Sequence, residues 1–309
     1  MKKIWKVLLC VAIISSLLLT SVLAATSYDY PEIGDIPEKS HEIIGLDNVE
    51  NARDLGGYEV TINGTNYVIK DNLLFRTGHL HDADVDDLKT IGVDKVIDLR
   101  TSLEALRKPD VKDSSIKNIS ISMLTIPNLF VMETADWKTL LSAITSGIME
   151  TWDTNLYRQY IQDPSAYKAT QKFFDEVLKS VESNEQVLWH CTAGKDRTGI
   201  EAMLLMAALG FDYETIKEDF LLTNAFYKDK AEESYRKVYD ILHIKAIANE
   251  FYKYEIVKES WLDISMDVMK RMTGESDNDA ALHAYLNKYA GVSDEEMEQL
   301  RAYYLKPAA

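Results

Sequence analysis

Residues 190–199, with the sequence HCTAGKDRTG, are the part of this chain best suited to covalent chemistry. Cys191 supplies a thiol and Arg197 a planar guanidinium, and five residues separate them. A loop of that length can curl round one phosphoryl group and point its backbone N–H groups at the anion. The spacing therefore predicts that Cys191 attacks phosphorus as a thiolate while Arg197 holds two phosphoryl oxygens.

The other positions of this loop have predicted roles in binding a phosphate. Gly194 permits a tight turn, and Thr198 can donate a hydrogen bond to the cysteine sulfur and make it a better leaving group. Lys195 can pair with a second phosphate or with a substrate carboxylate, and Asp196 can protonate the leaving alcohol. The predicted substrate-binding residues are Thr192, Ala193, Gly194, Lys195 and Thr198.

A strand before the loop and a helix after it must position these groups. Residues 186–189 form a short apolar run typical of a buried strand, and residues 199–209 read as an apolar helix that ends at Gly210. The N-terminus of that helix adds positive character where the phosphate would bind. A bare pair of Cys and Arg at this spacing is a weak signal. The two glycines, the threonine, the preceding His190 and the flanking elements make it a strong one.

Strands and helices alternate through the middle of the chain. Asn63-Gly64 predicts a hairpin between strands at 60–62 and 67–69, and Asp82 is predicted to cap a helix that ends at Gly92. Further predicted strands are 73–75, 95–99 and 116–121. Further predicted helices are 167–181, 212–222, 227–250, 260–272 and 293–304, the last with a capping box. The pattern predicts an α/β fold with a mostly parallel central sheet flanked by helices and a helical C-terminal part.

The chain is predicted to have three parts. Residues 1–24 combine three lysines, an apolar run and a small-residue end, which predicts a cleaved signal peptide and a secreted protein with no stable membrane insertion after cleavage. Residues 25–45 read as an N-terminal arm and 46–305 as the catalytic domain. Within it, 122–165 is either a helical lid over the site or a set of ordinary core helices. Cys10 leaves with the signal peptide, so Cys191 is expected to be the only thiol and to form no intramolecular disulfide.

The formal net charge of −16 limits the classes of partner. Nucleic-acid binding depends on Lys and Arg contacts with phosphates, so such an acidic chain is predicted not to bind DNA or RNA. A phosphate site must then be a local positive feature in a negative field. Composition carries no information on the oligomeric state.

The sequence resembles the atypical bacterial cysteine-dependent tyrosine phosphatases, a tyrosine/serine/phosphoinositide phosphatase family with an HCxxGKDRTG loop. Beyond the loop, residues 51–57 (NARDLGG), 74–78 (LFRTG), 96–100 (VIDLR) and 219–224 (DFLLTN) are similar to family segments. The resemblance implies a tyrosine-phosphatase-like domain that acts on phosphotyrosine, often on phosphoserine/threonine, and in several members on phosphoinositides. It implies no metal and no cofactor, and a phosphoprotein or phosphoinositide as the partner.

The general acid is where this sequence departs from other tyrosine phosphatases. They carry it in a Trp-Pro-Asp loop, and that tripeptide does not occur here. The resemblance implies an aspartate near the phosphate loop, so Asp196 and Asp98 are the candidates. We favour Asp196, because Asp98 can instead bond loop amides or orient Arg197.

Three other groups of polar residues have simple interpretations. The acids after His79 and His81 lack the spacing of a calcium loop and are expected at a helix N-terminus. Arg53 and Asp54 are expected to form an internal ion pair. Tyr157-Arg158 is either a second positive group at the site or a surface pair.

We therefore predict a phosphatase that works through a phosphocysteine intermediate. An inositol polyphosphatase of the same chemistry and a non-catalytic phosphate-binding module are the alternatives. A sulfurtransferase also places a cysteine between a strand and a helix, but the pair Arg197-Thr198 fits phosphate better.

Overall fold

The computed structural model describes residues 28–31, 36–43, 45–123, 142, 146 and 148–308. The predicted signal peptide lies outside these residues. The chain divides into two units, Met1–Glu32 and Ile33–Ala309. In the first unit the rings of Tyr28 and Tyr30 stack with their centroids 6.0 Å apart. All strands and helices named below belong to the second unit.

Five strands form the central sheet, and three form a smaller one. In chain order the strands are β1 (Arg53–Asp54), β2 (Glu59–Ile62), β3 (Thr65–Ile69), β4 (Leu74–Thr77), β5 (Lys95–Asp98), β6 (Lys117–Ser120), β7 (Val187–His190) and β8 (Leu305–Pro307). The central sheet has the order β1-β4-β7-β5-β6, and only β1 is antiparallel to its neighbour. The predicted mostly parallel sheet is confirmed.

The register of the sheet brings three strand ends together. His190, at the end of β7, is paired with Thr77 of β4 on one side and with Asp98 of β5 on the other. The carboxyl ends of parallel strands lie at the same edge of a sheet. The segment that leaves β7 there is flanked by the ends of β4 and β5. The phosphate loop follows β7 at this place.

Strands β4, β5 and β7 are buried on both faces, as is typical of a parallel sheet, whereas the edge strand β6 is largely exposed. Successive side chains of a strand point to opposite faces, so Leu188 joins one apolar cluster while Val187 and Trp189 join another. The first cluster contains the segment before β1 and the helix after β4. The second and larger cluster contains the C-terminal helices.

The smaller sheet is antiparallel and has the order β2-β3-β8. The predicted hairpin at Asn63-Gly64 is confirmed, and both residues have positive φ, 50° and 79°. Strand β8 was not predicted. It pairs with β3 directly after the final helix, in a three-residue segment too short for an alternating pattern.

Ten α-helices lie in the described part of the chain. They are α1 (Val85–Thr90), α2 (Ser102–Arg107), α3 (Ile148–Gln162), α4 (Pro164–Ser183), α5 (Arg197–Leu209), α6 (Tyr213–Leu242), α7 (Lys245–Glu255), α8 (Glu259–Thr273), α9 (Asn278–Tyr285) and α10 (Asp294–Tyr304). A π-helical turn, Leu286–Ala290, continues α9. The predicted capping box of α10 is confirmed.

Two helix predictions were wrong at their boundaries. Asp84, and not Asp82, caps α1, because the Asp84 carboxylate accepts the N–H of Asp86. Helix α6 runs unbroken for 30 residues through the break predicted at 222–227. Asn224 is buried there, and its side chain exchanges two hydrogen bonds with the backbone of Val257, so tertiary contacts outweigh its weak helix propensity.

Half of the predicted lid lies outside the described residues, which in that region are 122, 123, 142, 146 and 148–165. The C-terminal half of α3 is part of the core: Tyr157, Tyr160 and Ile161 are each at most 1% exposed. The lid and the limits of the three predicted chain parts stay predictions. No helix among the described residues is long and apolar enough to span a bilayer.

Candidate active site

The loop 191–196 connects β7 to α5 and contains the thiol. Cys191 is a free cysteine and is 2% exposed. Asp196 stands at the N-cap position of α5 without a capping bond from its side chain, and Arg197 is the first residue of that helix. Burial disfavours the charge of Arg197, but the charge of Glu104 and then that of Cys191, as a thiolate, raise the pKa of this arginine. The helix N-terminus is therefore directed at the loop, as predicted.

The carbonyl groups of residues 191–194 are all bonded to groups outside the loop. The bonds are Cys191 O with His190 Nδ1 (3.0 Å), Thr192 O with His79 N–H (3.0 Å), Ala193 O with Tyr227 O–H (2.7 Å), and Gly194 O with Asn51 Nδ2 (2.9 Å) and Arg76 Nη2 (3.0 Å). Among the residues that the structure describes, no oxygen accepts the backbone N–H groups of 192–196. Those N–H groups are left for an anion.

Gly194 is required by this geometry. Its φ is +66°, and an added Cβ would lie 2.4 Å from the carbonyl oxygen of Thr77. The close approach brings the loop against the end of β4. Two residues after that strand, the N–H of His79 donates to Thr192 O. The tight turn expected at Gly194 is confirmed.

Arg197 is held by Glu104, a residue that the sequence did not point to. The guanidinium is 5% exposed and donates Nη1 to Glu104 Oε2 (2.8 Å) and Nη2 to Glu104 Oε1 (2.6 Å). Thr192 Oγ1 donates to the same carboxylate (2.6 Å). Burial alone would raise the pKa of Glu104, but the charge of Arg197 holds it at about 2. Arg197 Nε is buried and has no partner among the described residues, so it can donate to a phosphoryl oxygen.

The signal that could have identified Glu104 is its capping box. Helix α2 begins at the N-cap Thr101, whose N–H donates to Glu104 Oε2 (2.8 Å). The pattern T-x-x-E is visible in the sequence. That the same carboxylate also reaches Arg197, 93 residues along the chain, depends on the packing of α2 against the loop.

A buried cluster of charged residues supports the loop from below. Asp219 of α6 is 1% exposed and pairs with Arg53 Nε (3.0 Å) and with Arg76. Arg53 also bonds Asn51, and both Asn51 and Arg76 donate to Gly194 O. Burial alone would raise the pKa of Asp219, but the two arginines keep it below its ordinary value. Three of the sequence segments outside the loop therefore meet directly beneath it.

The ion pair predicted between Arg53 and Asp54 is wrong. Neighbouring residues of a strand point to opposite faces, so Arg53 turns to Asp219 while Asp54 turns away. The Asp54 carboxylate accepts the backbone N–H groups of Gly56 (2.9 Å) and Asn72 (2.6 Å) instead.

Asp196 is held by Tyr157 of α3. The buried tyrosine hydroxyl donates to Asp196 Oδ1 over 2.7 Å, and the ring stacks on Trp261 with centroids 5.3 Å apart. Burial, and then the charge of Asp196, raise the pKa of Tyr157, so its hydroxyl keeps its proton. Asp196 itself is partly exposed at the loop. Of the pair Tyr157-Arg158, the tyrosine reaches the site and Arg158 is exposed.

Asp98 lies in a different environment. It is 8% exposed, and Arg100 donates Nε to its Oδ1 and Nη2 to its Oδ2, both over 2.9 Å. Arg100 also bonds Asp110 (2.5 Å), which accepts the N–H of Leu80 (2.8 Å) and lies 3.2 Å from His190 Nε2. Oxygen and nitrogen atoms of Asp98, Asp110 and His190 that could bind a metal ion lie within 4.8 Å of one another. In the described part of the chain, the guanidinium of Arg100 donates hydrogen bonds to both carboxylates.

Of the remaining predicted site residues, Thr192, Ala193 and Lys195 line a cavity beside the loop, whereas Thr198 is buried. Lys195 Nζ donates to the carbonyl oxygen of Tyr254 in α7 (2.7 Å). The Thr198 hydroxyl is buried, and none of the described residues is its partner, so the predicted bond to the Cys191 sulfur is not formed in this state. Its role stays a prediction.

The family of this chain follows from comparison with known proteins. Residues 44–306 match the sequence profile of the tyrosine phosphatase family, so the chain belongs to that family and is a protein-tyrosine phosphatase. Its fold is the mixed α/β fold of these enzymes.

Three curated relatives are similar over different lengths. A protein of Cupriavidus necator whose name assigns it to the tyrosine-protein phosphatases is 26% identical over 265 residues, 85% of this chain and 88% of that protein. A tyrosine-protein phosphatase of Nostoc commune is 29% identical over 51% of this chain and 49% of its own length. The triple specificity protein phosphatase PtpB of Mycobacterium tuberculosis is 28% identical over 49% of this chain and 60% of its own.

Among solved structures, a cysteine-to-serine variant of P. aeruginosa TpbA in complex with pTyr is similar to this chain. The identity is 13% and the TM-score 0.31, and the match covers 53% of this chain and 77% of that one. A second TpbA structure matches with 14% identity and a TM-score of 0.30, over 56% of this chain and 90% of that one.

Proposed function

We propose that this phosphatase hydrolyses phosphomonoesters of proteins and of phosphoinositides through a phosphocysteine intermediate. The observation that carries the proposal is the pair Arg197–Glu104 beside Cys191. Glu104 fixes the guanidinium plane, and Arg197 Nε has no protein partner among the described residues. A fixed guanidinium next to a thiol and a ring of unbonded backbone N–H groups fits the spread charge of phosphoryl transfer.

In the first step Cys191 Sγ donates an electron pair to phosphorus, and the bond from phosphorus to the leaving oxygen breaks. Asp196 gives its proton to that oxygen, so the product leaves as a neutral alcohol or phenol. The loop N–H groups and Arg197 bind the three remaining phosphoryl oxygens. Tyr157 bonds Asp196 Oδ1 and leaves Oδ2 to carry the proton.

In the second step a water oxygen attacks phosphorus and the bond from sulfur to phosphorus breaks. Asp196, now a carboxylate, takes the proton of the water, and Cys191 leaves as a thiolate. A hydrogen bond from Thr198 to the sulfur would stabilise that thiolate. Asp196 is better placed than Asp98 for both proton transfers, because Arg100 occupies both oxygens of Asp98.

The proposed substrate range includes phosphotyrosine, phosphoserine/threonine and phosphoinositides. The name of the M. tuberculosis relative, a triple specificity phosphatase, supports a range wider than phosphotyrosine. So does Lys195, which places an ammonium group on the rim of the loop. The pattern of residues 1–24 supports export, so the proposed place of action is outside the cytoplasm.

The test is release of phosphate from phosphopeptides, phosphoinositides and inositol phosphates by the full chain and by Cys191→Ser. We expect turnover by the wild-type protein only. A rapid acid quench during turnover should leave phosphate covalently bound to the wild-type protein and none on Cys191→Ser. Equal turnover by the two proteins would refute the mechanism.

The same panel separates the alternatives. An inositol polyphosphatase would release phosphate from inositol phosphates and leave phosphopeptides intact. A non-catalytic module would bind the ligands without release. For the acid, Asp196→Asn should flatten the pH profile of kcat, whereas Asp98→Asn should not; the reverse result would exchange their roles.

A further inference from the structure

A cavity opens directly beside the phosphate loop. It measures about 340 Å³, which is within the range of small-molecule sites. The loop residues Thr192, Ala193 and Lys195 line it. The other charged or titratable residues of its lining are three carboxylates, two lysines and one histidine: Glu50, Asp82, Glu255, Lys108, Lys230 and His79. A substrate whose phosphate is bound by the loop would therefore extend past these residues.

Two lysines in this cavity have no carboxylate partner among the described residues. Lys108 Nζ lies 3.2 Å from the ring nitrogen His79 Nε2, and Lys195 Nζ donates to the carbonyl oxygen of Tyr254 (2.7 Å). Lys230 on the same wall differs, because Glu50 is 2.7 Å from its ammonium. Glu255 is also 3.6 Å from Lys230, so Asp82 is the one carboxylate of the lining that is not near that lysine. Two ammonium groups against this single acid, in a chain of net charge −16, form a local positive feature beside the phosphate loop that can bind an anion.

The backbone around Lys108 is fixed relative to the loop. Lys108 directly follows α2, the helix that carries Glu104, and its carbonyl oxygen accepts Arg100 Nη1 (2.8 Å). His79, which orients the lysine side chain, donates its backbone N–H to Thr192 O (3.0 Å). The position of Lys108 is thus tied to the loop on two sides, unlike that of an ordinary surface lysine.

We propose that Lys108, oriented by His79, acts with Lys195 as a clamp for a second phosphoryl group of the substrate. The inference rests on the proposed function and specifies the substrate class: a small ring that carries a second phosphate near the one that is cleaved. The headgroup of a phosphoinositide in a bilayer and a soluble inositol phosphate share this chemistry. An ammonium–phosphate bond is charge-assisted, so its loss is expected to weaken binding about tenfold.

The experiment compares the full chain with Lys108→Gln, Lys108→Arg and the control Lys112→Gln. Lys112 is in the same segment and does not line the cavity. The substrates are phosphotyrosine, a phosphopeptide with acidic neighbours, soluble inositol phosphates with one phosphate or with two adjacent phosphates, and vesicles that contain a phosphoinositide with two adjacent ring phosphates.

Lys108→Gln is expected to raise KM about tenfold for the two bisphosphorylated substrates. Its KM for phosphotyrosine and for the monophosphate, and its kcat for every substrate, should change less than about twofold, since one exposed side chain is removed. Lys108→Arg should restore most of the affinity, and Lys112→Gln should behave as the wild type. The inference holds whether the effect is seen with the soluble ligand, with the vesicles or with both, and these two arms identify the source of the headgroup.

Equal changes for all substrates would overturn the inference, because they would indicate a structural role of Lys108. A selective effect on phosphopeptides with acidic neighbours would overturn it as well. Failure of the proposed function is a separate result: it would appear as absent phosphate release from phosphotyrosine by the wild-type protein.

Discussion

Replacing Glu104 by glutamine tests whether a fixed guanidinium is the main requirement of this site. The substitution keeps the size of the side chain and removes its charge. In the wild-type protein one carboxylate accepts both ends of the Arg197 fork and the hydroxyl of Thr192. In Glu104→Gln the buried guanidinium loses its counter-charge, and the amide nitrogen faces donors that need an acceptor.

The size of the effect can be worked out from the pKa of Glu104. The shift from 4.5 to about 2 corresponds to roughly 3 kcal/mol, at about 1.4 kcal/mol per pKa unit. Removing one partner of a buried ion pair costs a similar amount, about 3–5 kcal/mol. We therefore expect Glu104→Gln to lose about 3 kcal/mol of the free energy of unfolding at pH 7, and kcat to fall about 100-fold as the fork moves.

The pH dependence has a definite sign. Because the folded-state pKa of Glu104 is depressed, its stabilisation is fully present above the unfolded value of 4.5 and is lost as the pH falls towards 2. The difference between the wild type and Glu104→Gln should shrink over that window. Urea unfolding at several pH values between about 7 and 3 measures it.

Glu298→Gln is the matched control, because Glu298 pairs with Arg301 over 2.6 Å at the surface. An exposed pair is worth at most about 1 kcal/mol, so this variant should unfold and react like the wild type. If Glu104→Gln were as stable as that control at pH 7 and kept kcat within about twofold, the central role given to Arg197–Glu104 would be refuted.

Three further predictions concern other parts of the site and core. Tyr157→Phe should lower kcat about fivefold through loss of one hydrogen bond to Asp196, and should change the pH profile of kcat; an unchanged profile would disconnect the two residues. Gly194→Ala should abolish turnover in a folded protein, as judged by circular dichroism, because its Cβ would meet Thr77 O at 2.4 Å. Burial raises the pKa of Glu201 to about 8. The stabilisation of the fold by the protonated Glu201 should therefore be complete below pH 4.5 and be lost as the pH rises through 8. The free energy of unfolding of Glu201→Gln, measured in urea, should depend less on pH over that range.

The sequence predicted the loop and its flanking elements because their signals are local. The strand before Cys191, the glycine at the tight turn and the helix after Arg197 all lie within residues 186–210. Local periodicity and turn chemistry suffice for such a segment. The curved loop was therefore expected in the right place between β7 and α5.

The supporting residues were missed because their partners are distant in the sequence. Glu104 reads only as part of a capping box. Tyr157-Arg158 reads either as a positive group at the site or as a surface pair, and neither alternative predicts the bond from Tyr157 to Asp196. Arg53 was assigned to its neighbour Asp54, although strand geometry sends it to Asp219. A capping box or an adjacent charge is visible in a window of a few residues, whereas a contact across the fold is set by packing.

The bond between Arg53 and Asp219 also bears on how the protein folds. It closes a stretch of 166 residues, with the cysteine strand and its loop inside it. Contacts of such long sequence separation form late, because the chain loses the entropy of a large loop before it gains the contact. We expect the support from Asp219 to form only after α6 has docked beneath the phosphate loop. A chain that stops before residue 219 would contain every residue of the HCTAGKDRTG segment but not Asp219, so we expect it to lack an organised anion site. The onset of catalysis during refolding should then report this long-range step.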